Sequence, residues 1–395
     1  MRPIGELLKM VRRPVDVEDD AAYREIGIRS HCKGIFHKPE TTGKQIGSKR
    51  VFWIEPGCLV FNIIFAWEQA VAMTSDAEAG MIASHRFPMY RSRNGKLLPE
   101  YAWRYFSTPR GKYDLNVASP GGAGRNKTLG QEEFKRLKIP VPPIDYQRKA
   151  VDILSTVDRA MERTGRLIEA KRKLKKGLAQ QLLTGQRRMP GFTESWTTHR
   201  LDTISNIGKG AGGSKADLVP EGLPVVRYGE LYTTYDVRID EAVSFVSPDA
   251  ATRCKPIKRG DILLAGSGED RIEIGTAAAY MNGEPAYAGG DIVIVSPTEA
   301  NSVFLAYLLD NNDVRREFYR HAQGESVVHV YMRDVASLEL RLPSIDEQDR
   351  ISEVLGTADR EIALLEKKLV ALAELKRGLM QKLLTREHLT PTKGA

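Results

Sequence analysis

Two stretches of the chain carry apolar residues at alternating steps of four and three, and elsewhere the apolar residues fall in short runs bounded by Gly and Pro. The clearer stretch runs through Ile351, Leu355, Ala358, Ile362, Leu365, Leu369, Leu372, Lys376, Leu379 and Leu383. This spacing keeps one seam of a helix facing a partner helix. The other runs through Ala150, Leu154, Val157, Met161, Thr164, Ile168, Lys171, Lys175, Leu178 and Leu182, and a lysine interrupts both seams at the same late step. At about 1.5 Å per residue, each stretch predicts a helix on the order of 60 Å long, too long for one ordinary core. Each therefore needs a partner, and the nearest candidate is the other.

The two stretches are copies of one another. Residues 144–185 lie over residues 345–386 without a gap, and 16 of the 42 aligned pairs are identical. Chance would give roughly two or three, so the chain contains an internal repeat. Residues 145–188 hold 12 Lys/Arg against 5 Asp/Glu, and residues 346–387 hold 8 against 9, a charge difference that suits a mutual pair. Gly177 and Gly378 recur inside the helices, where glycine costs about 1 kcal/mol relative to alanine. The expectation is that another backbone approaches closely there.

Residues 1–142 read as a first globular module. Val51-Phe52-Trp53-Ile54 and the run from Leu59 to Phe65 have strand composition, and Pro99 opens a short helix. Residues 143–188 form the first long helix with a linker behind it. Residues 189–342 are the second module, residues 343–388 the second long helix and residues 389–395 a tail. In the second module, residues 259–264 match residues 56–61 as a turn feeding a buried strand, and residues 291–295 predict another strand. Residues 303–319 predict one helix with Phe304, Tyr307, Leu308 and Phe318 inward. Residues 138–142 predict a proline-bearing strand that delivers the chain to the long helix, and Leu340-Arg341-Leu342-Pro343 repeats that order. The expected fold is two α/β (α+β) modules separated by two long antiparallel helices that form a coiled coil, in a pseudo-two-fold arrangement.

Composition narrows the function. The formal net charge is +8, which favours an acidic partner such as nucleic acid. Cys32, Cys58 and Cys254 form no CxxC pair and suit a reducing compartment. No signal peptide and no 18-residue apolar run is present, so a soluble, cytoplasmic protein without a membrane partner is expected. Chemistry is thinly represented. The Gly208–Gly213 run lacks the lysine-hydroxyl pair of a phosphate loop, and there is no Asn/Asp-Pro-Pro-aromatic tetrad. His31, Cys32 and His37 lack a fourth metal ligand, and Asp261, Glu269, Asp270 and Glu273 fit no metal template. No catalytic residue and no metal site is assigned.

Basic residues gather in segments with loop composition, where Lys and Arg would meet phosphates and Arg or Asn would reach base edges. The DNA-binding candidates in the first module are Lys44, Arg50, Arg91, Arg93, Gly122, Arg125, Asn126 and Lys127. In the second they are Lys209, Lys215, Arg227, Tyr228, Arg271, Gly324 and Ser326. The glycine-rich segments rank first, because small residues let backbone approach phosphates.

The helix openings Val141-Pro142-Pro143-Ile144-Asp145-Tyr146-Gln147 and Leu342-Pro343-Ser344-Ile345-Asp346-Glu347-Gln348, with the closing runs from Lys176 to Gly185 and from Arg377 to Thr385, resemble the specificity subunit of Type I restriction-modification systems. The resemblance covers the whole layout, and its specific residues lie mainly in the two repeats. It implies two target-recognition domains, each reading half of a split sequence in double-stranded DNA, with the helix pair fixing the unread spacer. It also implies a non-catalytic chain without a cofactor of its own. Two modification subunits that bind S-adenosylmethionine would dock on it, as would restriction subunits driven by ATP with Mg²⁺. The alternative from the residues alone is a stand-alone DNA-binding regulator with a helical dimerisation region.

Overall fold

The computed structural model describes residues 1–121, 127–268, 273–321 and 328–384. Both periodic stretches are unbroken 40-residue helices, Ile144–Leu183 and Ile345–Leu384. Pro142-Pro143 and Pro343 hold the entering chain extended, and acids in the first turn, Asp145 in one and Asp346 and Glu347 in the other, suit the positive end of a helix.

The chain folds into two compact units whose border cuts each long helix near its middle. Residues 1–165 join residues 367–395, and residues 166–366 form the other unit. Each unit therefore holds one module with part of both long helices.

In unit one, a four-stranded antiparallel sheet has the order Leu8–Val11, Met89–Ser92, Leu59–Phe61, Val71–Met73. A second sheet runs Ile35–Thr42, Ala22–Ile28, Ile82–Ser84, Val51–Trp53, with its middle strands parallel at Glu25 and Ile82. The core centres on Phe61, whose ring lies 4.9 Å from Phe134 and 5.6 Å from Phe106, each edge to face. Ala150, Leu154 and Leu384 of the long helices complete that core. The helices run antiparallel within this unit: the Tyr146 hydroxyl donates to the Leu383 carbonyl at 3.3 Å, and further along Asp158 meets Lys376 at 2.7 Å.

Unit two repeats the plan with unrelated residues. Its first sheet has the order Ser205–Lys209, Ile292–Pro297, Ile262–Ala265, Ala277–Tyr280, Arg238–Ile239, so one strand is added to the order seen in unit one. Ile262–Ala265 stands where Leu59–Phe61 stands, as the shared turn-and-strand pattern led one to expect. The second sheet, Leu218–Val219, Ser244–Val246, Leu223–Val226, Ala286–Ala288, Lys255–Ile257, again has a parallel pair, at Val225 and Tyr287. Leu182, Leu183, Trp196, Ile351 and Leu355 pack with Phe304 and Phe318. The helices are antiparallel here too, because Lys171 meets Glu361 at 2.6 Å while Arg188 meets Glu347 at 2.7 Å.

Three expectations need correction. Residues 303–319 form not one helix but two, Ser302–Leu309 and Asn312–His321, because Asp310 and Asn311 end the first and the Asn311 side chain caps the second by accepting from Asp313 N–H at 3.0 Å. All four residues predicted inward are buried nonetheless. The proline-bearing strand is only Lys138–Ile139, paired with Arg2–Pro3, since prolines 140, 142 and 143 offer no N–H to a ladder. Gly177 and Gly378 meet no neighbouring backbone: a Cβ at either would have nothing within 4 Å.

Candidate nucleic-acid interface and helix junctions

Residues identical in the two repeats build the same junction twice. In unit one the buried Gln147 side chain accepts from Leu98 N–H at 2.9 Å and donates to Pro142 O at 2.8 Å. Leu98 is the cap of helix Pro99–Phe106, so the glutamine takes over one of the amides that a helix start leaves unpaired. In unit two Gln348 accepts from Asn301 N–H and donates to Pro343 O, both at 2.9 Å, and Asn301 caps Ser302–Leu309. Each glutamine thus fastens a module helix to the opening of a long helix.

The lysines that interrupt the seams meet the repeated aspartates reciprocally. Lys376 of the second helix pairs with Asp158 of the first, and Lys175 of the first pairs with Asp359 of the second. The module completes each cluster: Arg104 pairs with Asp158, and the Tyr307 hydroxyl donates to Asp359 at 2.5 Å. Burial works to raise the Asp158 carboxyl, but hydrogen bonds from Lys376 and Arg104 hold it below the usual carboxylate range. Burial, with the Asp359 carboxylate beside it, pushes the Tyr307 phenol up, so it stays a donor. Such half-buried charge pairs restrict which register two helices adopt.

The predicted seam residues line these contacts. Leu154, Val157, Ile168, Leu182, Leu355 and Ile362 are buried, while Met161, Leu178, Leu365, Leu369, Leu372, Leu379 and Leu383 are half-buried.

The DNA-binding candidates stand in different surroundings. Lys44, Arg50, Arg93 and Lys215 are exposed. Arg91 is tied to Glu55 at 3.3 Å and to Pro56 O at 3.0 Å. Lys127 donates to Asn116 at 2.9 Å and lies 5.5 Å from the centre of the Trp67 ring. Arg227 and Tyr228 are half-buried at the start of helix Tyr228–Thr233. Gly122, Arg125, Asn126, Arg271, Gly324 and Ser326 lie outside the described residues.

The glycines of the 208–213 run serve packing within the module, since a Cβ on Gly210 would fall 2.0 Å from Gly289 O and one on Gly212 would fall 2.7 Å from Arg253 O. Lys209, at the end of its strand, borders a cavity of about 500 Å³ with Asp291, His329, Tyr331 and Arg333. Arg333 lies 5.4 Å from the centre of the exposed Tyr331 ring. Sequence reasoning passed over these last residues, and the signal was an arginine two positions after a tyrosine at the start of the short helix Met332–Ala336. Among the described residues no group of three or more His, Cys, Asp or Glu could hold a metal ion, and no helix is long and apolar enough to cross a membrane.

Residues 62–172 and 193–374 match the family described as Type I restriction modification DNA specificity domain. The chain belongs to that family. One relative within reach of this specificity family is the type I restriction enzyme MjaVIII specificity subunit of Methanocaldococcus jannaschii, 23% identical over 271 residues, or 64% of this chain and 62% of that one. A putative type I restriction enzyme MjaX specificity subunit of the same organism is 21% identical over 280 residues, or 67% of this chain and 62% of that one. The match therefore spans 62% of the length of either relative. The crystal structure of the Type-I restriction-modification system S subunit from M. genitalium shares the fold, with a TM-score of 0.59 at 15% identity over 98% of this chain and 96% of that one.

Proposed function

We propose that the chain is the DNA-reading subunit of a Type I restriction-modification assembly, with one half of a bipartite target read by each module and the helix pair setting the unread spacer. The carrying observation is the twice-built junction. The same glutamine and aspartate fasten a module in each unit, while the two modules match poorly in sequence. A shared frame with unlike reading surfaces suits a target whose two halves differ in sequence. Basic exposed side chains would bind phosphates, and a few Arg, Asn and Tyr residues would choose bases.

The chain supplies recognition and no chemistry in this reading. S-adenosylmethionine belongs to modification subunits, two per chain, and ATP with Mg²⁺ to restriction subunits, all in the cytoplasm.

Methylome sequencing tests the proposal in cells that make the chain with its modification subunit. Wild type is expected to mark one split motif. Removing a whole number of helical turns from both long helices should shorten the spacer and leave both half-sites unchanged. An unaltered spacer overturns the role of the helices, and the absence of any split motif overturns the function. A purified chain that binds one uninterrupted site as a homodimer, without a methyltransferase, would establish the regulator instead.

A further inference from the structure

One backbone frame recurs in the two modules, away from the long helices. In unit one Ile63 N–H donates to Arg86 O at 3.0 Å and Leu129 N–H to Ile63 O at 2.8 Å. In unit two Gly266 N–H donates to Asp291 O at 2.8 Å and Val330 N–H to Gly266 O at 2.9 Å. The strand register agrees, since Arg86 lies as far before Tyr90, the partner of Leu59, as Asp291 lies before Val295, the partner of Ile262. A short helix follows in each module, Gln131–Arg136 or Met332–Ala336, so Glu132 and Arg333 correspond as second residues. Arg86 thus stands where Asp291 stands, and Glu132 where Arg333 stands, with the charge reversed at both places. All four side chains are exposed, so no core dictates their sign.

In unit two Asp291 and Arg333 share the cavity of about 500 Å³ with Lys209, His329 and Tyr331. Among the described residues, the side chains of Asp291 and Lys209 take part in no hydrogen bond or ion pair. Asp291 follows Gly289 and Gly290 and takes the left-handed φ of 58° that glycine holds without cost. A third glycine would suit the backbone better, so the backbone does not explain the carboxylate. Phosphate binding does not explain it either, because an acid beside Lys209 and Arg333 weakens their attraction for a polyanion. It does suit a base edge. An ionised carboxylate only accepts hydrogen bonds, and in the major groove the cytosine N4 amino group donates. A guanidinium offers two parallel donors to guanine O6 and N7, and the Tyr331 ring, centred 5.4 Å from Arg333, gives that plane a face to rest on.

We propose that Arg333 and Asp291 select one G·C pair in the half-site of the second module, Arg333 through guanine O6 and N7 and Asp291 through the cytosine amino group, with Lys209 on a flanking phosphate. This rests on the function proposed above. The frame is common to both modules, and the side chains it carries choose the base.

The test is methylome sequencing of cells that make the full chain with its modification subunit, beside binding of the purified complex to duplexes. Arg333→Ala and Asp291→Gly should each relax the same single position of the same half-site, with discrimination there falling about tenfold, while the other half-site and the spacer stay. Both side chains are exposed and glycine suits the φ of residue 291, so thermal melts should not fall. Lys209→Ala should weaken binding to every sequence alike and reduce its salt dependence. Replacing the guanine at the relaxed position by 7-deazaguanine should weaken wild type about tenfold and leave Arg333→Ala unaffected. Variants that keep the wild-type motif overturn the inference and leave the function standing, as does relaxation at two separate positions. Variants that melt like wild type yet lose methylation at every site equally assign both residues to affinity and overturn the choice of base. Absence of any split motif in wild type overturns the inference and the function together.

Discussion

At the junction of unit one an aspartate sits between two cations, Arg104 and Lys376; at that of unit two its counterpart sits between one cation, Lys175, and the phenol of Tyr307. A second contrast lies in the first turn of each long helix. Tyr146 donates to Leu383 O, whereas Glu347, in the same place in its repeat, is fully buried among Arg188, Met189 N–H and Trp196 Nε1. The lysine–aspartate pairs between the long helices are kept, as are the glutamines that reach a module helix, while the module partner of each aspartate and the residue just before each glutamine have changed. The frame tolerates new chemistry at those two places while the paired lysines, aspartates and glutamines stay.

The largest expected break in this comparison is Glu347→Ala. Burial works against the Glu347 carboxylate, yet hydrogen bonds from Arg188, Met189 and Trp196 hold its pKa below the usual range. Removing it strands buried donors and should cost about 3 kcal/mol, against less than about 1 kcal/mol for Tyr146→Phe. Urea unfolding followed by Trp196 fluorescence measures the first and hydrogen exchange in unit one the second; equal losses would dissolve the contrast.

Gln147→Leu and Gln348→Leu should instead behave alike, each costing about 2 kcal/mol by leaving a capping amide buried without an acceptor. Hydrogen exchange at Leu98 and Asn301 reads this directly, and protection lost in only one unit would mean that the junctions are not equivalent.

Asp158→Asn should cost about 1–2 kcal/mol at neutral pH and more than Asp359→Asn, since two cations lose their partner. The Asp158 carboxyl is held low in the fold, so its contribution is present above the ordinary carboxylate range and lost as pH falls through the depressed value. The gap between wild type and Asp158→Asn in urea midpoint should therefore close in acid.

The smallest effect carries the opposite sign. Asp310 ends helix Ser302–Leu309, where Ser107 ends Pro99–Phe106, and burial pushes its pKa up to about 6. A carboxylate at the negative end of a helix is unfavourable, and stability falls as pH rises towards that value. Asp310→Asn should gain about 1 kcal/mol at pH 7.5 and nothing at pH 4, as thermal melts at the two pH values would show; a loss at pH 7.5 would show that pairing with Arg315 at 3.4 Å dominates.

The sequence was most legible where periodicity carries the information. The seams and the two long helices follow from spacing alone, and the strand Ile262–Ala265 follows from its turn and its apolar run. Contacts between distant residues were not legible. Lys175 and Lys376 look like faults in a seam because their aspartates lie in the other repeat. Gln147 and Gln348 stand out in the sequence only as repeated residues of the helix openings, because nothing local announces a buried amide whose partner is another helix's cap. Gly177 and Gly378 suggested a crowded site because glycine reports a small space without saying whether anything fills it. Basic residues told least, since Arg91 and Lys127 have partners inside the module that composition does not reveal.

Unit one draws residues 367–384 into a core begun by Ile4 and Leu7, with Leu384 buried beside Tyr101. Unit two comprises residues 166–366. On a translating ribosome the unit started first is then the last to be completed, and a nascent chain halted just past Glu366 would hold every residue of the second unit while the first core still lacked Leu384.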